Sequence, residues 1–324
     1  MARVILVTGA AGFVGSHLLT SLLSQTPTPT VVGWRRPGST LTRTQPTAAD
    51  AELAWHEIDV LDREAVVDAI AETQPAEVFH CAGIANVAGS WDNVVGTLEA
   101  NVLGTRNVMY GLRRARVRAR VLVPGSALVY RPKLGALTEA DQVGPVSPYG
   151  LSKLAQEMQA SRLASEEQQV VLTRSFTHIG PGQGLSYATS SFAHQIARIE
   201  IGQTESTIHV GLLDVHRDLM DVRDTVAAYQ ALMRRGAANR IYNVCSGCTY
   251  QMRDVVVGLV ALARVPIQMQ VDPERVRPND YQELCGDRSL ITTDVGWQPQ
   301  IGLEQMLNNI LNYWRSHVQE PGTS

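Results

Sequence analysis

Apolar residues gather in short runs through the first half of the chain, separated by stretches in which they recur every three or four positions. The runs at Val4–Val7, Val31–Trp34, Glu77–Cys81, Arg120–Val123 and Val170–Arg174 have the length of buried strands. Helical spacing fills the gaps, near Val14–Leu23, Arg63–Glu72, Asp92–Arg114 and Pro148–Glu166. This alternation predicts βαβ units and an α/β fold: a doubly wound, Rossmann-type parallel sheet covered on both faces, with a crevice at the carboxyl ends of its strands. After residue 176 the elements shorten and turns multiply, with helical pieces at Ser190–Glu200, Asp221–Arg235, Gln251–Ala263 and Leu303–Ser316. We therefore expect a first domain over 1–175 and a smaller lobe over 176–324 that completes a substrate pocket, with the chain free to cross back. Glu320–Ser324 reads as a frayed tail.

Composition narrows this picture. Hydrophobic residues make up 44% and charged residues 18% of 324, which suits a soluble globular enzyme and excludes a disordered chain. A net charge of −3 gives no electrostatic reason to expect nucleic acid or an anionic membrane as partner. The apolar stretch 4–23 is interrupted by Gly9, Gly12 and Gly15 and lacks a small-residue cleavage site, so it reads as strand, turn and helix; a cytoplasmic protein is expected. Cys245 and Cys248 form a CxxC, but no second pair or histidine set follows at ligand spacing. With Cys81 and Cys285 they are expected to be reduced thiols, and no metal site is expected.

The strongest chemical signal is Thr8-Gly9-Ala10-Ala11-Gly12-Phe13-Val14-Gly15, between a strand and a helix. Glycines at this turn let backbone approach a pyrophosphate, and the helix start offers unpaired N–H groups and partial positive charge. A dinucleotide cofactor is the expected ligand. Its ribose is selected at the end of the second strand, where an acid suits a 2′-hydroxyl and an arginine a 2′-phosphate. The run Val31-Val32-Gly33-Trp34-Arg35-Arg36 has no acid and two guanidiniums. NADP(H) is therefore preferred and NAD(H) allowed, unless Arg35 and Arg36 are only solvated loop residues. Ala82-Gly83, after the fourth strand, leaves room for the adenosine ribose.

Tyr149-Gly150-Leu151-Ser152-Lys153 places a phenol and an ammonium on one helix face. Such an ammonium is expected to lower the phenol's pKa, so that Tyr149 exchanges a proton with a substrate oxygen while a hydride moves at carbon. Ser126, after the fifth strand, is positioned to hydrogen-bond the same oxygen.

With these motifs in order, the chain resembles the extended short-chain dehydrogenase/reductases, in which the GxxGxxG spacing is typical, and over residues 3–316 their nucleotide-sugar branch. Arg174-Ser175-Phe176-Thr177-His178-Ile179-Gly180-Pro181, Arg217-Asp218-Leu219-Met220-Asp221-Val222-Arg223-Asp224, Tyr242-Asn243-Val244 and Arg277-Pro278-Asn279-Asp280 narrow the resemblance to reductases of GDP-4-keto-6-deoxymannose and the related GDP-mannose 4,6-dehydratases. The resemblance implies that Asp59 and Val60 meet the adenine. It places Thr177 and His178 near nicotinamide and sugar, Asn86 and Val87 along the sugar, and Thr189 near the base. It gives Arg217 and Arg277 the nucleotide diphosphate and makes Asn101 a polar anchor, though a satisfied helix-surface amide is an equal reading of that residue. The implied substrate is a GDP-linked hexose, and the implied assembly a homodimer paired through the helices near Asp92–Arg114 and Pro148–Glu166.

Departures from the family pattern shape the expected activity. Dehydratases carry a proton-transferring glutamate two residues before the tyrosine matching Tyr130, and this chain has Leu128. Thr177 stands where relatives have Asn, and Arg131-Pro132 where they have Gly. NADPH-dependent reduction of a C4 ketone needs only Ser126, Tyr149, Lys153 and the cofactor. A 4-epimerase or 4,6-dehydratase is the alternative, and a non-catalytic nucleotide-sensing module a third reading.

Overall fold

The computed structural model describes residues 3–39, 53–275 and 282–318. The elements run β1 (Val4–Thr8), α1 (Phe13–Leu23), β2 (Thr30–Arg35), β3 (Leu53–Glu57), α2 (Arg63–Thr73), β4 (Glu77–His80), α3 (Gly89–Asp92), α4 (Val94–Leu98), α5 (Gly104–Arg114), β5 (Ala119–Ser126), β6 (Ala136–Leu137), α6 (Pro148–Leu163), β7 (Gln168–Ser175) and β8 (Thr177–Ile179). They continue with α7 (Ala188–Glu200), β9 (Thr207–Val210), β10 (His216–Asp221), α8 (Val222–Arg235), β11 (Ile241–Val244), β12 (Thr249–Gln251), α9 (Met252–Ala261), β13 (Gln268–Val271), β14 (Glu283–Gly286), α10 (Ser289–Val295) and α11 (Leu303–Arg315).

Among the described residues seven strands form the main sheet in the order β11-β7-β5-β4-β1-β2-β3, every neighbouring pair parallel. Strand order reverses between β1 and β4, which opens the crevice expected of a doubly wound sheet. Side chains alternate across it. Ile5 and Val7 face a core built with Leu18, Leu19 and Leu22 of α1 and Tyr229 and Leu232 of α8. Leu6 faces the opposite core, with Val66 and Ile70 of α2, Val108, Met109 and Leu112 of α5, and Ala160 of α6. Burial on both faces explains why these strands read as continuous apolar runs.

The smaller lobe has its own core from α7, α9 and α11, including Phe192, Ile196, Val255, Leu259, Leu307 and Ile310. Its sheet runs β12-β10-β14-β6, with β8 pairing β10. The chain also returns to the first layer: β11 is the edge strand beside β7, and α8 packs on α1.

One expected helix, Asp92–Arg114, is broken. Asn93 leaves helical geometry at φ −134° and caps α4 by accepting from Gly96 N at 3.0 Å. A wide π-turn, Glu99–Leu103, then precedes α5. The buried Asn101 lies in that turn, bonded to the loop after β4 and to α6. Spacing of apolar residues cannot report such a break, because it is made for one inward-facing polar side chain. The helix expected to reach Glu166 ends at Leu163.

Candidate active site

The turn after β1 is closed by contact. Gly9 has φ +64°, and a Cβ there would lie 2.6 Å from Ala82 N. A Cβ on Gly15 would lie 2.3 Å from Gly9 O. Side chains are excluded at both places, so bare backbone lines the crevice mouth. Gly12 begins α1 without a side-chain cap, which leaves the helix-start N–H groups to an anion. Phe13 stacks on His178, with centroids 6.1 Å apart and planes 10° apart, and meets His17 edge-on. His178 Nδ1 lies 3.1 Å from Phe176 O, and burial holds its pKa below the ordinary value. Val14 is half-buried in the first turn of α1.

Arg35 does not stand alone. Its Nη2 donates to Glu57 Oε1 at 2.7 Å, because β2 and β3 pair Arg35 directly with Glu57. The acid missing from the end of β2 is thus supplied by β3, a neighbour that reading along one strand cannot show. Arg36 is exposed beside it. Asp59 Oδ1 accepts from Leu61 N at 2.9 Å, shaping the loop before α2. Val60 packs where a Cβ on Gly104 would lie, 2.9 Å from its Cγ2.

Beyond β4, Gly83 has φ +156° and its missing Cβ would fall 2.5 Å from Asn101 Oδ1. Asn101 accepts from Ile84 N at 2.8 Å and donates to Ile84 O at 3.0 Å and Ser152 Oγ at 2.8 Å. It is a buried anchor rather than a surface amide. Asn86 Oδ1 accepts from Gly89 N, and Val87 O accepts from Ser90 Oγ. Ser90 Oγ in turn accepts from Tyr149 N at 3.2 Å, so the loop carrying Asn86 and Val87 is bonded to the start of α6.

That start is set by Ser147, whose Oγ accepts from Gly150 N at 3.1 Å, with Pro148 in the first helical position. Tyr149, Lys153 and Ser126 are all buried, and Ser126 hydrogen-bonds the Tyr149 phenol. Ser126 Oγ also accepts from Leu128 N at 3.2 Å. The expected lowering of the tyrosine pKa is not what this geometry gives. Burial pushes the phenol up to about 12, with the Ser126 hydrogen bond opposing. Lys153 Nζ donates to Gln156 Oε1 at 2.5 Å, and burial lowers its pKa to about 8. At both groups desolvation is the dominant cause.

In the smaller lobe, Thr189 is buried in the first turn of α7, and Thr177 opens β8 half-buried. Arg217, on β10, donates from Nη1 to His216 O at 2.8 Å. Arg277 lies outside the described residues. The other polar residues of the 217–224 segment are structural. Asp218 is fully buried and accepts from Ser246 N and Oγ, Gly247 N and Gly286 N. Asp221 caps α8, and Asp224 accepts from Gln300 N and Ile301 N. All four cysteines are free; Cys245 is buried and Cys248 exposed.

Tyr187 and Glu57 are among the residues that escaped the sequence reading. Tyr187, just before α7, reaches across to donate to Ala85 O at 3.2 Å and lies close enough to Tyr149 to act on its charge. Neither Tyr187 nor Glu57 sits in a motif, and only tertiary pairing reveals them.

The family model for GDP-mannose 4,6 dehydratase matches residues 6–310. The chain belongs to that family. Members are NAD(P)-binding enzymes of the nucleotide-sugar epimerase, dehydratase and reductase group. A GDP-6-deoxy-D-mannose reductase of Pseudomonas aeruginosa is 33% identical over 330 residues, covering 99% of this chain and 100% of the relative. A UDP-glucose 4-epimerase of Haemophilus influenzae is 27% identical, covering 97% and 98%. Among solved structures, RMD from Pseudomonas aeruginosa complexed with NADPH superposes with a TM-score of 0.84 at 31% identity, covering 98% of this chain and 100% of that one. MoeE5 in complex with UDP-glucuronic acid and NAD gives a TM-score of 0.81 at 28% identity, covering 97% and 99%. Among the described residues no helix is long and apolar enough to cross a membrane.

Proposed function

We propose that this family member reduces the C4 ketone of a GDP-4-keto-6-deoxyhexose with NADPH, giving a GDP-6-deoxyhexose, GDP-D-rhamnose or its C4 epimer. The observation that carries the reading is the set of groups around the phenol. Ser126 hydrogen-bonds the Tyr149 phenol and Lys153 stands one turn further along the same helix, while the position two residues before Tyr130 is Leu128, which transfers no proton. A reductase needs no second acid or base; a dehydratase does. Whole-length similarity to a GDP-6-deoxy-D-mannose reductase supports the same choice.

The residues fit a dinucleotide: Gly9 and Gly15 let the turn close backbone against backbone, and α1 begins at Gly12 without a side-chain cap. When bound, NADPH supplies the hydride. Gly12, Phe13 and Val14 would flank the phosphates, Arg35 and Arg36 the 2′-phosphate, Asp59 and Val60 the adenine, and Ala82, Gly83 and His178 the riboses and nicotinamide. Tyr149 protonates the developing C4 alkoxide, Ser126 polarises the carbonyl, and Lys153 would hold the nicotinamide ribose. Asn86, Val87, Thr177 and Thr189 line the sugar and base, and Arg217 with Arg277 takes the diphosphate.

The test is loss of NADPH absorbance on addition of freshly generated GDP-4-keto-6-deoxymannose. Tyr149→Phe is expected to keep cofactor affinity and lower kcat by roughly 10²–10⁴-fold. No NADPH consumption by the parent overturns the reductase reading. Tightly bound oxidised cofactor together with interconversion of UDP-hexoses would install the 4-epimerase instead.

A homodimer belongs to the same proposal. Val95, Leu103 and Tyr110 along α4–α5 and Leu151 and Met158 on α6 are exposed apolar side chains on adjoining helices. Elution of the intact chain as a monomer would remove it.

A further inference from the structure

Lys153 is held by a chain of buried polar groups whose donor and acceptor roles are fully determined. Its Nζ donates to Gln156 Oε1 at 2.5 Å. Gln156 Nε2 donates to Thr105 Oγ1 at 2.7 Å, and Thr105 Oγ1 donates to Asn101 O at 2.7 Å. Because the threonine hydrogen is spent, His80 Nε2, 3.0 Å away, must be the protonated ring nitrogen. His80 Nδ1 then accepts from Thr8 Oγ1 at 2.9 Å, and Thr8 Oγ1 accepts from Ala82 N at 3.1 Å. The chain thus begins at the cofactor turn after β1 and ends on the ammonium. Thr8, His80, Thr105 and Gln156 are at most 1% exposed.

Among the described residues no carboxylate compensates the ammonium. Glu157, next to Gln156, is committed to Arg174. The titratable groups facing Lys153 are His80 and Cys81 at the end of β4, and Tyr149 lies one turn earlier on its own helix. Burial keeps all three neutral near pH 7, holding His80 down at about 3 and Cys81 up at about 12. An amide oxygen is therefore the group that stabilises the charge. Its orientation cannot flip, since that would face an amide N–H₂ toward Nζ.

We propose that Gln156 is the positioning residue for Lys153: its amide oxygen keeps the buried lysine charged and fixes its direction, and its amide nitrogen locks that direction to Thr105, His80 and the cofactor turn. Its importance for turnover rests on the reductase reading above, but its effect on the lysine does not.

The chain has only two lysines, Lys133 and Lys153, so lysine labelled with ¹³C at the ε-carbon gives one signal from the site and one exposed control. In the intact parent protein the Lys153 signal is expected to titrate near 8, because burial lowers the ammonium's pKa. Gln156→Met removes the acceptor and is expected to move that midpoint down by about one to two pH units. Gln156→Glu supplies a charged acceptor and is expected to move it up by at least as much. Lys133 stays put in both. A Lys153 midpoint unchanged in both variants overturns the proposal. If Gln156→Met fails to fold, Gln156→Glu alone decides it. Where the parent consumes NADPH, the alkaline limb of kcat is expected to follow the same order. Absence of turnover with the lysine shifts present refutes the reductase reading and leaves the role of Gln156 standing.

Discussion

Glu157→Gln is expected to destabilise the protein by about 3–5 kcal/mol, the cost of breaking a buried ion pair from one side. Arg174 grips Glu157 with two bonds, Nε to Oε2 at 2.9 Å and Nη2 to Oε1 at 2.7 Å, and both side chains are 6% exposed. An amide keeps one oxygen and turns an N–H₂ against the guanidinium, so one charge-assisted bond is lost and the cation stays buried without its counter-charge. The Tyr130 ring, 4.6 Å from the guanidinium carbon, and Glu139 O, 3.3 Å from Nη1, retain part of the compensation. That places the cost nearer the lower figure.

An unfolding entropy of about 2.1 cal/mol/K per residue gives about 0.7 kcal/mol/K for this chain, so Tm falls by roughly 4–7 °C. Calorimetry reads this directly. The combined Glu157→Leu, Arg174→Met protein removes both charges and should recover most of the loss. A shift of under about 1 °C for Glu157→Gln, or a combined variant as unstable as the single one, would refute the reasoning. The pair also ties α6, which carries Tyr149 and Lys153, to β7, so kcat at low temperature should fall with stability rather than independently of it.

Three further outcomes follow from particular contacts. Glu57→Gln frees Arg35 from its carboxylate and removes a negative charge beside the expected 2′-phosphate; kcat/KM for NADPH should rise by about three- to tenfold at low salt and less at high salt, with NADH little changed. Equal effects on both cofactors would dissociate Glu57 from phosphate selection. Tyr187→Phe removes the bond to Ala85 O and Tyr187→Ala also removes the ring: substrate KM should rise more in the second, while NADPH affinity stays level, and a change in NADPH affinity alone would put Tyr187 outside the sugar pocket. His80, held at about 3 by burial and secondarily by the Lys153 charge, stays neutral in the fold, while its unfolded value is near 6.5. The unfolded chain therefore binds the extra proton between these values, so urea stability should rise with pH across that window and fall on acidification, and His80→Gln should flatten that slope.

The parallel sheet was legible because burial on both faces makes each strand a continuous apolar run, and the glycine turn because steric exclusion leaves only one residue type at Gly9 and Gly15. The placement of Ser126 at the end of β5 and of Tyr149 and Lys153 at the start of α6 was legible from their positions in the strand–helix order. What could not be read is what tertiary pairing supplies. Glu57 meets Arg35 only through strand register. The π-turn exists so that Asn101 can face inward, and no periodicity encodes it. Gln156 looks like one more polar helix residue until Thr105 and Lys153 close around it. The pKa expectation for Tyr149 failed for a related reason: the tyrosine–lysine spacing reports that a cation is near, and says nothing about how much water both groups lose.

That last correction bears on the choice between reductase and epimerase. A phenol held at about 12 is protonated throughout the neutral range, the state required of a group that must hand a proton to a developing alkoxide. An epimerase cycle begins with oxidation and needs the phenolate first, so it must overcome the same desolvation before any hydride moves. Below about pH 8 Lys153 is charged, and its neighbours His80 and Cys81 are neutral, so the helix that carries Tyr149 holds a cation one turn away when the proton leaves. The reduction rate should then be level from weakly acid to neutral pH and fall as pH rises through the lysine's midpoint, tracking the ¹³C titration of Lys153. A rate that instead climbs with pH across neutrality would mean that the phenolate is the working form, and would move the assignment from ketone reduction to chemistry that starts by oxidising the sugar.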